Sequence, residues 1–228
     1  MANAYFSQAT FDFLTALAAN NNRDWFEENK QRYEDSVRTP ALKLISDMVS
    51  ELPAISPHFV ALPKKSGGSL MRVHRDVRFG KSKLPYKTNI GIQFRHEIGK
   101  DVHAPGYYIH IAPDGCFIGA GVWQPDATAL GIIRDAIIAH GDAWVAARDD
   151  AAFTKRFELS GSALSNPPRG YPKTHPLLED LKRKDFIGIA TLRESSVTSK
   201  NSISTVVSHF NDATPLMAFL CKALALRF

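Results

Sequence analysis

The stretch GYYIHIAPDGCFIGAGVW, residues 106–123, constrains the fold more than any other part of the chain. Two β-rich runs flank Asp114-Gly115, a dipeptide that favours the positive-φ backbone of a tight hairpin turn. The segment before it, KTNIGIQFRHE, alternates through Ile90, Ile92 and Phe94 and reads as another strand. Earlier still, GSLMRVHRDVRF sets Met71, Val73, Val77 and Phe79 against Arg72, His74, Asp76 and Arg78, again with period two. Arg75 falls out of phase, on the apolar side. Sequential strands with short links predict an antiparallel meander.

Helical periodicity brackets this centre. Phe11, Leu14, Leu17 and Ala18 mark a helix over 8–19, with Phe6 placed to staple its entry and Ser7 to cap it. Asn20-Asn21-Asn22 breaks that helix, and Asn22 caps a second one that carries Trp25, Phe26, Tyr33 and Val37. Thr39-Pro40 predicts a stop and restart, followed by a third helix through Leu42, Ile45, Met48, Val49 and Leu52 that Pro53 closes. After the hairpin, Asp126 caps a helix through Leu130, Ile133 and Ile137 that Gly141 ends, and Asp142 caps a short run with Trp144 and Val145. Residues 160–176 hold four prolines and two glycines and read as loop. A short helix at HPLLEDLKRK, a last strand at DFIGIATL and helices over 202–226, restarted at Pro215, complete the chain. The fold class is α+β: a mainly antiparallel sheet packed with N-terminal, middle and C-terminal helices, in one domain over 1–228.

With 228 residues and a 44% apolar share, such a domain buries a full core without staples. Cys116 and Cys221 form no CxxC and sit in apolar surroundings, so they read as small buried hydrophobes in a reducing compartment. No run approaches the length of a membrane helix, and the N-terminal stretch lacks the pattern of a secretory signal. The expectation is a cytoplasmic protein with no membrane contact.

Charge is unevenly placed. Residues 72–87 hold six basic residues and one acid; removing them from totals of 28 and 23 leaves 22 of each sign, so one segment carries the whole excess of +5. A local excess favours a defined anion site over an all-over basic coat. Arg72, Arg75 and Arg78 supply guanidinium forks, and Lys83, Tyr86 and Lys87 stand in a loop rich in small polar residues. Phosphate or carboxylate is the natural guest. The GxxxxGK[ST] pattern of a P-loop is absent. A solvated basic edge strand is the plain alternative.

His74, Asp76 and His110 are the acid–base candidates, His110 sharing a strand face with Tyr108. His96, Glu97, Asp101 and His103 lie close in sequence, yet HEIGKDVH matches no standard ligand spacing, so no metal site is assigned. Neither GxSxG nor GxGxxG occurs, and no cofactor follows from the sequence. PPRGYPKTH, with Arg169, Tyr171, Lys173 and His175, reads as surface connection before it reads as a lid.

Four blocks carry a resemblance: NNNRDWFEENKQRYE, MRVHRDVRFGKSKLPYKTN, PGYYIHIAPDGCFIGAGVWQP and NPPRGYPKTHPLLEDLKRKDF. In order, and over nearly the full chain, they resemble the domain of unknown function 2461 family of conserved hypothetical proteins. The most specific block supplies Arg75, Asp76, Arg78, Phe79, Lys83, Pro85, Tyr86, Lys87, Thr88 and Asn89. Gly80 departs from it, since the family pattern often has serine there. The resemblance implies a self-contained soluble domain and no particular activity.

Three function classes follow, in order: binding or processing of a small phosphorylated or carboxylated ligand; nucleic-acid binding, with the basic segment on phosphates and Tyr86, Tyr107 or Tyr108 stacking on bases; and an interaction module whose basic strand meets an acidic partner. Neither catalysis nor an oligomeric state is fixed by the sequence.

Overall fold

A computed structural model describes residues 4–76, 83–98 and 104–228. Helix α1 (Gln8–Ala19) starts where the Ser7 N–H meets the Thr10 hydroxyl at 3.2 Å, with Phe6 buried beside it. In α2 (Arg23–Glu28) the Asn22 side chain accepts from the Trp25 N–H at 3.0 Å. α3 (Lys30–Tyr33) continues through a π-helical turn at Glu34–Arg38 into α4 (Thr39–Ile55). Thr39-Pro40 therefore does not break the helical course. Pro40 sits in the first turn of α4, where a missing N–H is tolerated. It cannot donate to the Ser36 carbonyl, and the Thr10 hydroxyl of α1 reaches that carbonyl at 2.8 Å. Pro53 likewise lies inside the last turn of α4 rather than ending it.

The strands are β1 (Phe59–Val60), β2 (Ile90–His96), β3 (Gly106–Ile111), β4 (Cys116–Val122), β5 (Glu158–Ser160) and β6 (Phe186–Leu192). Among the described residues they form one sheet in the order β1-β2-β3-β4-β6-β5, antiparallel throughout. The hairpin turns at Pro113-Asp114, one residue before the expected Asp114-Gly115, with the Gly115 N–H donating to the Ala112 carbonyl at 3.2 Å; proline presets the backbone at the second position of such a turn. Between β4 and β6 come α5 (Ala127–Ala139), α6 (Gly141–Arg148) and α7 (Ala151–Arg156), then α8 (Leu178–Leu181) after the proline-rich loop. α9 (Glu194–Val197), α10 (Ser202–Asp212) and α11 (Thr214–Ala223) follow the sheet. Gly141 opens α6 instead of following α5, whose C-cap is His140, and Asp142 lies in the first turn of α6.

Register sorts the sheet into two faces. On one, Ile92, Ile109, Ile118 and Ala190 stand in a row, and Phe94, Tyr107, Ala120 and Gly188 in the next. This is the core face. Phe210 of α10 stacks on Tyr107 with ring centres 4.2 Å apart and meets Phe94 edge-on. Trp144 of α6 packs against Phe186 and Phe219. Cys116 and Cys221 are buried free thiols, and burial raises both, Cys221 to about 12. On the other face Gln93, Tyr108, Gly119 and Ile189 form one row, and Gly91, His110, Phe117 and Thr191 the next. Tyr108, His110 and Phe117 there are half-buried.

The loop 160–176 is tied down at both ends. Asp185 accepts from Gln124 N–H, Ser162 N–H and the Ser162 hydroxyl, each at 2.8 Å. The Tyr171 hydroxyl donates to Asp135 of α5 at 2.9 Å, with Arg134 over its ring. No described helix is long and apolar enough to cross a membrane.

Candidate functional site

Over its described residues the basic segment does not form the regular strand its alternation predicts. Leu70 bridges to Ile92, and Met71 N–H donates to Gly91 at 2.9 Å, adding a few residues to the sheet beside β2. The chain then changes partner. Arg75 N–H donates to Pro85 and Lys87 N–H to Val73, both at 2.8 Å, around a bridge between His74 and Tyr86. Residues 73–75 and 85–87 thus make a short ladder of their own. Two successive partners prevent one long strand. Val77, Arg78 and Phe79 lie outside the described residues.

This ladder is pinned to α2. Asn21 Nδ2 donates to the Tyr86 carbonyl and Tyr86 N–H donates to Asn21 Oδ1, each at 3.0 Å. Phe26 stacks on Tyr86 with ring centres 4.1 Å apart and planes 16° from parallel. Tyr86 is buried, so its ring is engaged inside the fold and offers no surface to a ligand. His74 lies against the same pair, its ring 5.2 Å from Tyr86 and 6.4 Å from Phe26. It is thereby held with α2 and makes no hydrogen bond or ring contact with His110. Asp76 is 3.9 Å from Arg72, a weak approach between two exposed groups. Lys83 is exposed.

Arg75 does not find an acid. Among the described residues it has no ion pair, and its Nε is buried without a hydrogen-bond partner. It stands near the Lys87 ammonium. Lys87 is half-buried; burial lowers its amine, and Arg72 and Arg75 lower it further by repulsion. No carboxylate among the described residues bonds the Lys87 ammonium. Lys87 and Asn89 line a narrow crevice with Met71, Leu70 and Val73.

Asn89 links this crevice to the half-buried sheet face. Its amide nitrogen lies 3.4 Å from His110 Nδ1, and the Tyr108 hydroxyl lies 3.1 Å from the same atom. Asn89 also hydrogen-bonds Tyr108. Phe117, directly across from His110 in the hairpin register, stacks on its ring at 4.6 Å and 9°. Burial lowers the His110 imidazole, an effect that Asp114 opposes. Burial raises the Tyr108 phenol, which the Asn89 bond opposes.

Three of the four sequence blocks thus meet in space around Tyr86, Lys87 and His110, and a family model described as conserved hypothetical protein matches residues 9–219. The chain belongs to the DUF2461 family. Comparison with curated proteins and with solved structures gives no match.

In this DUF2461 domain His96 and Glu97 of the remaining polar motif are tied into the fold. Buried His96 lies 2.8 Å from the Arg227 carbonyl through Nε2, while Glu97 bonds His58 at 2.7 Å and Arg227 at 3.2 Å. Asp101 and His103 lie outside the described residues. Among the described residues of the DUF2461 domain, no group of three His, Cys, Asp or Glu side chains is placed to hold a metal ion. Sequence reasoning passed over Asn21 and Asn89. The triple asparagine reads as a helix breaker, and Asn89 as the end of a loop. Counting outward from Asp114-Gly115 would pair His110 with Gly119; the turn at Pro113-Asp114 sets Phe117 opposite it instead.

Proposed function

We propose that this DUF2461 protein binds a small phosphorylated or carboxylated anion, with Arg72, Arg75 and Lys87 as the centre of the site. One observation carries the reading: a half-buried lysine stands beside two arginines, with no carboxylate bonded to it among the described residues. Clustered like charges destabilise a fold unless a counter-charge arrives, and an oxyanion supplies one. Planar guanidinium forks and an ammonium suit phosphate or carboxylate oxygens. Of the acid–base candidates, His110 is the one connected to the crevice, through Asn89. The two unpaired cysteines suit a reducing, cytoplasmic setting.

Thermal unfolding against a panel of phosphorylated metabolites and carboxylates tests this. A true ligand raises the melting temperature progressively with its concentration, and Lys87→Met abolishes the effect. No shift across the panel overturns the reading. Nucleic-acid binding would require log affinity to fall linearly with log salt. It is the less favoured reading, because Tyr86 and Tyr107 are buried and only Tyr108 of the three candidate rings is partly open.

A further inference from the structure

The hydrogen bonds around His110 define what that ring can do. An amide nitrogen only donates, so the Nδ1 facing Asn89 carries a lone pair. The Tyr108 hydroxyl, 3.1 Å from the same atom, can direct its proton to that lone pair. The neutral ring then holds its proton on Nε2. Among the described residues Nε2 has no hydrogen-bond partner, since both bonds to His110 run through Nδ1. Phe117, stacked on the ring face, fixes the plane in which that N–H points. In this tautomer Nε2 donates and does not accept, so His110 is not poised as a general base there.

We propose that His110 is a ligand-binding donor: its Nε2–H holds an uncharged oxygen of a ligand whose anionic group lies at Lys87 and Arg75. The preferred ligand is then a small oxyanion that also carries a hydroxyl group, such as a hydroxylated phosphomonoester. This rests on the anion reading above. Asn89 supplies the connection, because it lines the Lys87 crevice while its amide fixes the His110 tautomer. Burial favours the neutral imidazole that this arrangement needs.

Two measurements test it. Nitrogen-15 spectra of labelled histidines in the wild-type protein should place the His110 proton on Nε2; a proton on Nδ1 overturns the proposal without any variant. Titration with inorganic phosphate and with glycerol 3-phosphate should show tighter binding of the second. His110→Phe should weaken glycerol 3-phosphate by about three- to tenfold, the worth of one hydrogen bond, and leave phosphate unchanged. His110→Gln, which keeps a donor, should retain most of the difference. Equal binding of the two probes, or a loss common to both in His110→Phe, overturns the donor role while the anion site stands. Failure of the wild type to bind glycerol 3-phosphate also overturns the donor role, and failure of every phosphorylated and carboxylated compound of the panel overturns the anion reading beneath it.

Discussion

Asn21 pairs with the main chain of Tyr86 in both directions, its amide taking the place of a neighbouring strand at 3.0 Å on each side. The two residues come from different sequence blocks, and their pairing fixes the Lys87 ladder against α2. Without it the Tyr86 N–H and C=O lose their partners in a part-buried position.

Asn21→Ala should therefore destabilise the fold by about 1–3 kcal/mol, the cost of stranding such groups. Urea unfolding reads this directly. Asn20→Ala serves as the comparison, since that side chain reaches only the Ala16 carbonyl on an exposed turn. Equal midpoints for the two variants would remove the clasp.

Lys87→Met separates stability from binding. Lys87 is lowered by burial and by Arg72 and Arg75, so the unfolded chain holds this proton more tightly than the folded one. Stability then rises with pH across the alkaline window just below the ordinary lysine value. The variant should lose that slope and be as stable as wild type or more so at neutral pH, while anion-induced stabilisation disappears. A clearly less stable Lys87→Met would mean that the ammonium has a structural partner.

His110 sets an acid limit of the same sign. Burial lowers its folded value below the ordinary 6.5, as burial also does for His209 of α10. The unfolded state binds more protons in the window beneath 6.5, so stability falls as pH drops through it. His110→Gln should flatten this part of the urea-midpoint profile. His209→Gln should flatten it independently, because the two rings lie on different elements and share no contact. An unaltered profile in the double variant would exclude both.

A second acid step belongs to Asp185. Burial alone would raise this carboxyl, but bonds from Ser162 and Gln124, with Lys184 nearby, outweigh it and lower the value. Its contribution is complete above the ordinary carboxylate range and is lost as pH falls through the folded value. Asp185→Asn should cost about 1–3 kcal/mol at neutral pH and flatten the loss of stability below the ordinary carboxylate range. A variant as stable as wild type at pH 7 would show that the three donors find other partners.

Much of this architecture was legible because local signals agreed with the final contacts. Asn22 and Asp126 cap the helices their positions predict, and the hairpin forms where expected, although its turn is centred one residue earlier, on Pro113-Asp114. The misreadings arose where tertiary partners overrode local pattern. The alternation from Met71 onward suggested one strand, but that segment pairs first with β2 and then with residues 85–87. Gly141 looked like a helix stop, yet His140 already ends α5 and the glycine starts α6. For the site, the sequence located the basic segment and placed His110 beside Tyr108. It could not place His74, whose ring is drawn to Phe26 by a fold contact between distant blocks. Nor could it assign Tyr86 to the interior, since a tyrosine among lysines reads equally as a surface ring. Arg75 was marked only by being out of phase, and its place near Lys87 emerges from the ladder with 85–87.

The order β1-β2-β3-β4-β6-β5 carries a kinetic consequence. β2, β3 and β4 are consecutive and close through short connections. The pairing of Val122 with Phe186 instead closes a loop of roughly sixty residues, whose entropy must be met before that contact stabilises anything. The meander should therefore be structured in the folding transition state while the β4–β6 seam forms late. Substitutions at Ile109 should slow folding, whereas those at Ala190 should mainly speed unfolding. Gly121 makes that late seam exacting: at φ 136 a Cβ there would lie 2.0 Å from the Phe186 carbonyl oxygen, so the last strand docks only where a side chain is missing.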